Sequence, residues 1–158
     1  MVGAQFGDEA KGKITDYLAS NAQYVVRTGG GPNAGHTIRL EEGEVILHQL
    51  PCGVLRHGVT GVLGPGMVLN PISLEEEILA LDHRGLLRGQ VVISDRAHVL
   101  LPLHEIEDAW EDDLRGRQKG GASIGTTRRG IGPAYADRAG RWGIRMADLT
   151  RPATLRAT

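Results

Sequence analysis

The stretch Gly7-Asp8-Glu9-Ala10-Lys11-Gly12-Lys13 has the spacing G-x-x-x-x-G-K, and it constrains the fold more than any other segment. Glycines at these positions let successive backbone N–H groups turn towards one anion, and the helix that follows adds its positive end. Such a loop normally follows a buried strand, yet only Met1-Val2 precede Gly3. Ile14 stands where an ordinary loop of this kind has a metal-binding Ser or Thr, so Asp8 is the available oxygen donor for a metal. Read alone, the same residues also make a glycine-rich turn into a helix with solvated lysines.

Two further clusters have the same polar, glycine-rich character. Gly29-Gly30-Gly31-Pro32-Asn33-Ala34-Gly35-His36 ends in a histidine flanked by small residues. An imidazole there can give a proton to a developing oxyanion, and Asn33 can hydrogen-bond a phosphate or a base. The other five histidines lack such a setting. Gly125-Thr126-Thr127-Arg128-Arg129-Gly130-Ile131-Gly132-Pro133 offers hydroxyls, amides and two guanidinium groups, which suits a second anion site or a basic surface turn. The acidic run Glu105 to Asp113 reads as a solvated helix face.

The chain has 158 residues, which suggests one domain over 1–150 and a flexible tail over 151–158. Aromatics make up only 4%, so Val, Leu, Ile and Ala must build the core. A formal charge of −1 gives no general attraction to nucleic acid or to an anionic membrane. The single cysteine, Cys52, excludes an intrachain disulfide and fits a cytoplasmic setting. No apolar run approaches the ~18 residues of a membrane helix.

Periodicity predicts a helix over Lys11–Ser20 with Ile14, Tyr17 and Leu18 on one side, and a strand at Tyr24–Arg27. A hairpin is expected around Glu41-Glu42-Gly43, and two strands, Val59–Leu63 and Met67–Asn70, on either side of Gly64-Pro65-Gly66. Ser73 with Glu76 suggests the cap of a helix ending at Gly85. A strand follows at Gln90–Ser94, then an acidic amphipathic helix at Pro102–Leu114 carrying Ile106, Ala109 and Trp110, then a basic mobile loop at Arg115–Ser123. The fold class is α/β, a largely parallel central sheet flanked by helices with a small antiparallel hairpin.

Taken together, the three clusters closely resemble the adenylosuccinate synthetase family. The matching stretches are Gly3 to Lys13, Asn33-Ala34-Gly35-His36-Thr37, and Ile124-Gly125-Thr126-Thr127 with Gly130 to Tyr135. His48 to Gly53 and Ser94 to His98 match as well, so similarity runs in register from about Gly3 to Leu149. The resemblance implies part of a P-loop-like GTP-dependent ligase fold. It implies that GTP phosphorylates the 6-oxygen of IMP and that L-aspartate then displaces the phosphate to give adenylosuccinate. By the same resemblance Asp8 takes the N1 proton, His36 is the general acid, and Asp8 with the Gly35 carbonyl holds Mg²⁺. Gly7, Asp8, Glu9, Ala10, Lys11, Gly12, Lys13, Gly35, His36 and Thr37 would surround the GTP phosphates. Asp8, Lys11, Asn33, Ala34, Gly35, His36, Thr127 and Arg141 would hold IMP. Arg141 would reach into a partner subunit, so a homodimer is implied.

Ala10, Arg128 and Trp142 depart from the family pattern, Ala10 and Arg128 replacing glycines. Family members are longer, and their guanine- and aspartate-binding segments lie beyond the residue matching Thr158. The expectation is therefore the front portion of such an enzyme. Competing readings are a non-catalytic nucleotide-binding remnant, and a variant acting on a 2-amino purine nucleotide as in related viral synthetases. Those viral enzymes tend to lack the acid at the Asp8 position, so Asp8 favours IMP.

Overall fold

A computed structural model of the chain describes residues 11–117, 125–151 and 155. It is α/β, as the pattern predicts. Helix α1 (Lys11–Ala19) leads to β1 (Tyr24–Gly30), then to the antiparallel hairpin β2 (His36–Leu40) and β3 (Gly43–Leu47). A short 3-10 turn, Cys52–Leu55, precedes the long strand β4 (Thr60–Leu69). Next come α2 (Pro71–His83), β5 (Gln90–Ile93), the two-residue β6 (His98–Val99), α3 (Pro102–Arg117), α4 (Ile131–Gly140) and α5 (Met146–Leu149). β1, β5 and β6 all pair in parallel with β4, which is the centre of the sheet.

Gly64-Pro65-Gly66 does not divide two strands; it is a bulge inside one. The pairing Arg27↔Leu63 is followed by Gly29↔Gly66, so β4 spends one extra residue there. A Cβ on Gly66 would stand 2.1 Å from the Thr28 carbonyl oxygen, and one on Gly64 2.8 Å from that of Arg27. The glycines admit the neighbouring backbone, and the strand continues past them into Val68 and Leu69, both fully buried.

The cap of α2 is Asn70, not Ser73. Its Oδ1 accepts from the amides of Ile72 (3.1 Å) and Ser73 (3.2 Å), while Pro71 fills the first helical position, where a missing N–H costs nothing. The helix ends at His83 with Arg84 as its C-cap, and Gly85, at φ 63°, turns the chain away just beyond it.

Most core side chains form one cluster around Leu47, Leu50, Leu55, Leu63, Met67 and Leu69; a smaller one joins Val68, Leu100 and Ala134. Two helices turn faces other than their apolar ones inward. In α1, Asp16 and Ala19 are buried, whereas Ile14, Tyr17 and Leu18 are exposed. Asp16 turns inward because Arg56 grips its carboxylate through Nη2 (2.8 Å) and Nε (3.2 Å). In α3, His104, Asp108 and Asp112 are buried and Ile106 and Trp110 are exposed. Arg115 to Arg117 belong to α3; the rest of the basic loop, 118–123, lies outside the described residues. Tyr24, Val26 and Val92 are exposed on the sheet. Parallel sheets are ordinarily covered on both faces.

Candidate active site

α1 and β2 bring the first two clusters together. The backbone of Gly12, in the first turn of α1, runs against the His36 side chain, which opens β2. A Cβ built on Gly12 would lie 3.0 Å from His36 Cβ and 3.2 Å from its Cγ. Both residues line a cavity of about 130 Å³ with Thr15, Arg27, Pro51 and Cys52. Burial, with the Asp16 charge adding to it, pushes the Cys52 thiol up to about 11, so this sulfur stays protonated near neutral pH. A neighbouring cavity of about 390 Å³ gathers Lys13 and Thr37 with Asp16, Arg39 and Arg56.

The segment between β1 and β2 is fastened at both ends. Arg27 donates to the Gly31 carbonyl oxygen at 2.8 Å and also to that of His48. Burial lowers the Arg27 pKa, and the charge of Glu77 opposes that shift. The His48 ring donates from Nδ1 to the Ala34 carbonyl oxygen (2.9 Å), since a carbonyl can only accept. The Glu77 carboxylate accepts from three successive amides, His48 (2.9 Å), Gln49 (2.9 Å) and Leu50 (3.2 Å). Such charge-assisted bonds are roughly twice as strong as neutral ones. Asn33, Ala34, Gly35 and His36 therefore lie on a segment secured by Arg27, His48 and Glu77. Arg27 and Glu77 do not stand out by motif in the sequence, because their partners are main-chain atoms; His48 opens a stretch that resembles the family, though nothing local shows what it holds.

The third cluster is joined to the second by α4. The Tyr135 hydroxyl accepts from the Gly30 amide (2.7 Å) and donates to the Gly66 carbonyl oxygen (2.7 Å), pinning the bulge to the end of β1. Gly31 is pressed between Ile131 and Val68: its Cβ would fall 2.6 Å from Ile131 Cδ1. Arg129 lines a cavity of about 380 Å³ with Pro32, His48, Glu76, Glu77 and Arg84, so a guanidinium of the third loop faces the second.

The acidic run is not simply solvated. Asp108 Oδ2 accepts from the Gly130 amide (3.0 Å) and Asp112 Oδ1 from that of Gly125 (3.3 Å). Arg128 adopts φ 53°, the left-handed region that favours glycine, and its guanidinium lies 2.7 Å from Asp113 Oδ1. Its charge is directed to the helix.

Arg141 occupies a different place. It caps α4 at φ 67° and lines a basic cavity of about 510 Å³ with Arg96, His98, Arg138 and Arg145. His98 is buried, and its Nδ1 has no hydrogen-bond partner among the described residues. Burial first, then Arg138 and Arg145, lower its pKa.

Of the expected site residues, Gly12 and His36 line one cavity, Lys13 and Thr37 the adjacent one, and Lys11 opens the same helix. Asn33, Ala34 and Gly35 lie on the secured segment, Thr127 on the loop tied to α3, and Arg141 apart. Gly7, Asp8, Glu9 and Ala10 lie outside the described residues. Among the described residues no group of three or more His, Cys, Asp or Glu could hold a metal ion, and no helix is long and apolar enough to cross a membrane.

Comparison with known proteins identifies the family. The family model described as adenylosuccinate synthetase matches residues 1–158. The adenylosuccinate synthetase of Moorella thermoacetica is 52% identical over 149 residues, 94% of this chain and 34% of that protein. That of Chlorobium chlorochromatii is 46% identical over 157 residues, 99% of this chain and 35% of that one. The structure of fully ligated adenylosuccinate synthetase from Plasmodium falciparum superposes with TM-score 0.83 at 44% identity, covering 92% of this chain and 34% of that one. The cyanophage S-2L succinoaminodeoxyadenylate synthetase PurZ, bound to dGMP and dATP, superposes with TM-score 0.73 at 30% identity, covering 94% of this chain and 40% of that one. The chain spans about a third of the length of the curated relatives it matches. By its whole-length family match and its fold, the chain belongs to the adenylosuccinate synthetase family.

Proposed function

We propose that this chain carries the phosphoryl-transfer half of a purine-nucleotide ligase that joins L-aspartate to IMP at the cost of GTP. The observation that supports it best is the packing of Gly12 against His36, which brings the phosphate-loop helix and the second-loop imidazole to one cavity.

Asp8 takes the N1 proton of the base, which leaves electron density on the 6-oxygen. That oxygen attacks the γ-phosphorus of GTP, and the bond to the β–γ bridging oxygen breaks to release GDP. His36 donates to the oxygens on which charge grows, and Lys11, Gly12 and Lys13 hold the phosphates with Thr37 at their side. The amine of aspartate then adds at C6, and phosphate leaves. A positioned acid or base contributes typically 10²–10⁴-fold. Charge on the transferring phosphoryl group is offset by lysines and amides already in place.

The Asp8 carboxylate and the Gly35 carbonyl are hard oxygen donors, which suits Mg²⁺, an ion usually bound by one or two protein oxygens plus substrate phosphates. When bound, it supplies charge neutralisation on the β- and γ-phosphoryl oxygens. Asn33 and Thr127 hold the nucleotide. Arg141 sits in a basic cavity apart from His36, which fits service to a partner subunit in a cytoplasmic homodimer.

A 2-amino purine nucleotide is the second reading, favoured by the likeness to PurZ. The higher identity to the Plasmodium enzyme and the acid at Asp8 favour IMP. The test, made in an intact form of the enzyme that includes this chain, is aspartate-dependent formation of adenylosuccinate from IMP, GTP and Mg²⁺. His36→Ala and Asp8→Ala should each abolish it while leaving the thermal midpoint unchanged. Retained turnover in both variants contradicts the assignment.

A further inference from the structure

We propose that Asp108 and Asp112 are positioning residues that shape the Thr126-Thr127 loop from beneath. The two carboxylates are one turn apart on α3, and they take the amides at the two ends of the loop, Gly130 and Gly125. They are only 7% and 3% exposed, so each carboxylate has lost its water and depends on donors within the protein. The loop backbone is shaped to meet them. Gly125 and Gly130 adopt φ 67° and 69°, and a Cβ on Gly130 would stand 2.6 Å from the His104 carbonyl carbon. Arg128 adds a third tie through Asp113.

The Gly130 amide opens α4, and Asp108 already engages it. A carboxylate therefore already stands at the N-cap of α4, where its charge disfavours a phosphate. An anion is directed instead to the hydroxyls and amides of Thr126 and Thr127, between the two tied ends. Pre-shaping of this kind removes ordering cost from binding. Assigning the nucleotide phosphate to Thr127 rests on the function proposed above; the tying of the loop does not.

The test uses the whole chain, labelled with ¹⁵N, with Asp108→Ala, Asp112→Ala, Asp108→Asn and Asp112→Asn. Amide exchange at Gly125 and Gly130 and the resonances of Thr126 and Thr127 are read by NMR, and IMP affinity by calorimetry. In the Ala variants, exchange at the matching glycine should quicken roughly tenfold or more, as loss of a charge-assisted bond implies. The threonine resonances should move, and IMP binding should weaken roughly tenfold. The Asn variants keep an acceptor and should recover most of both, with an unchanged thermal midpoint. That recovery separates positioning from general stability. If an Ala variant does not fold, the Asn variant still decides, because its glycine amide resonance must shift upfield on losing the charged acceptor. Unchanged exchange and threonine resonances overturn the proposal, as does unchanged IMP affinity in a variant whose loop amides have opened. If the unmodified chain binds no IMP, the proposed function falls, and the exchange and threonine resonances alone decide whether the loop is held as described.

Discussion

The space in front of the Gly12 Cα is filled by the Cβ and Cγ of His36, 3.0 and 3.2 Å from where a methyl group would begin. His36 Cβ is fixed to the backbone of β2 and cannot swing away, so a side chain at position 12 has to move the strand. Gly12→Ala gains helix propensity, at most about 1 kcal/mol in a helix interior and less in a first turn. It spends that gain on the displacement. Thermal stability should stay within about 1 kcal/mol of the unmodified chain, while binding of GTP with Mg²⁺, measured by calorimetry, weakens. Unaltered affinity with an unaltered melt would mean that this packing has no functional role.

Glu77 offers a sharper stability test. Its carboxylate accepts from three consecutive amides that lead out of β3. Glu77→Ala leaves those donors to compete for water at the edge of the core. The expected loss is about 2 kcal/mol, or roughly 4–8 °C in the melting midpoint for a chain of this size. Glu77→Gln keeps an acceptor and should recover part of it. A calorimetric melt of both variants decides, and an unshifted midpoint in Glu77→Ala contradicts the account.

Arg128 has a left-handed backbone, with φ 53°, a conformation that favours glycine. Arg128→Gly removes about 1–2 kcal/mol of backbone strain. Against that stand the more flexible unfolded chain, about 0.5–1 kcal/mol, and an exposed ion pair to Asp113 of about 0.2–1 kcal/mol. The terms nearly cancel. Denaturant unfolding should place the variant within about 1 kcal/mol of the unmodified chain. A larger loss would show that the Arg128 tie is stronger than an exposed pair can be.

His98 makes stability pH-dependent. Its folded pKa is lowered, by burial first and by Arg138 and Arg145 after it. The unfolded chain then binds the proton more readily than the folded one, so this residue's contribution is full above the unfolded value of about 6.5 and is lost as pH falls below it. Melts of the unmodified chain and of His98→Gln between pH 8 and 5 should diverge below that point, with the variant losing less. Parallel curves would mean that the imidazole is as easily protonated in the fold as outside it.

Much of the framework is legible in the residues themselves. The helix after Lys11, the hairpin around Gly43 and the parallel strands follow from periodicity and turn chemistry, because these depend on neighbours along the chain. What stays hidden is long-range. Gly64-Pro65-Gly66 reads as a break, since nothing local tells that the Thr28 carbonyl fills the space in front of Gly66. Ser73 reads as a cap because its spacing to Glu76 is right, yet Asn70, one residue before Pro71, caps the helix earlier by accepting from the amides of Ile72 and Ser73. The acids of α3 look solvated until the third loop folds over them, and nothing along the chain near Asp16 announces its pairing with Arg56. In the site, His36 and the glycine clusters announce themselves by composition. Arg27 and Glu77, which help hold those clusters in register, bind main-chain atoms and leave no local mark, and His48 and Tyr135 lie in stretches that resemble the family without showing what they hold.

The central claim is that the His36 imidazole stands beside the triphosphate held at the start of α1. Replacing Mg²⁺ by paramagnetic Mn²⁺ in the complex with GTP and following the six histidine ring signals by NMR tests it directly. The account predicts that saturating Mn²⁺ and GTP together broaden the His36 signal far more than that of His83 at the end of α2, and that Mn²⁺ without GTP does not. Broadening of His36 no greater than that of His83, with nucleotide and metal both present at saturation, would contradict it.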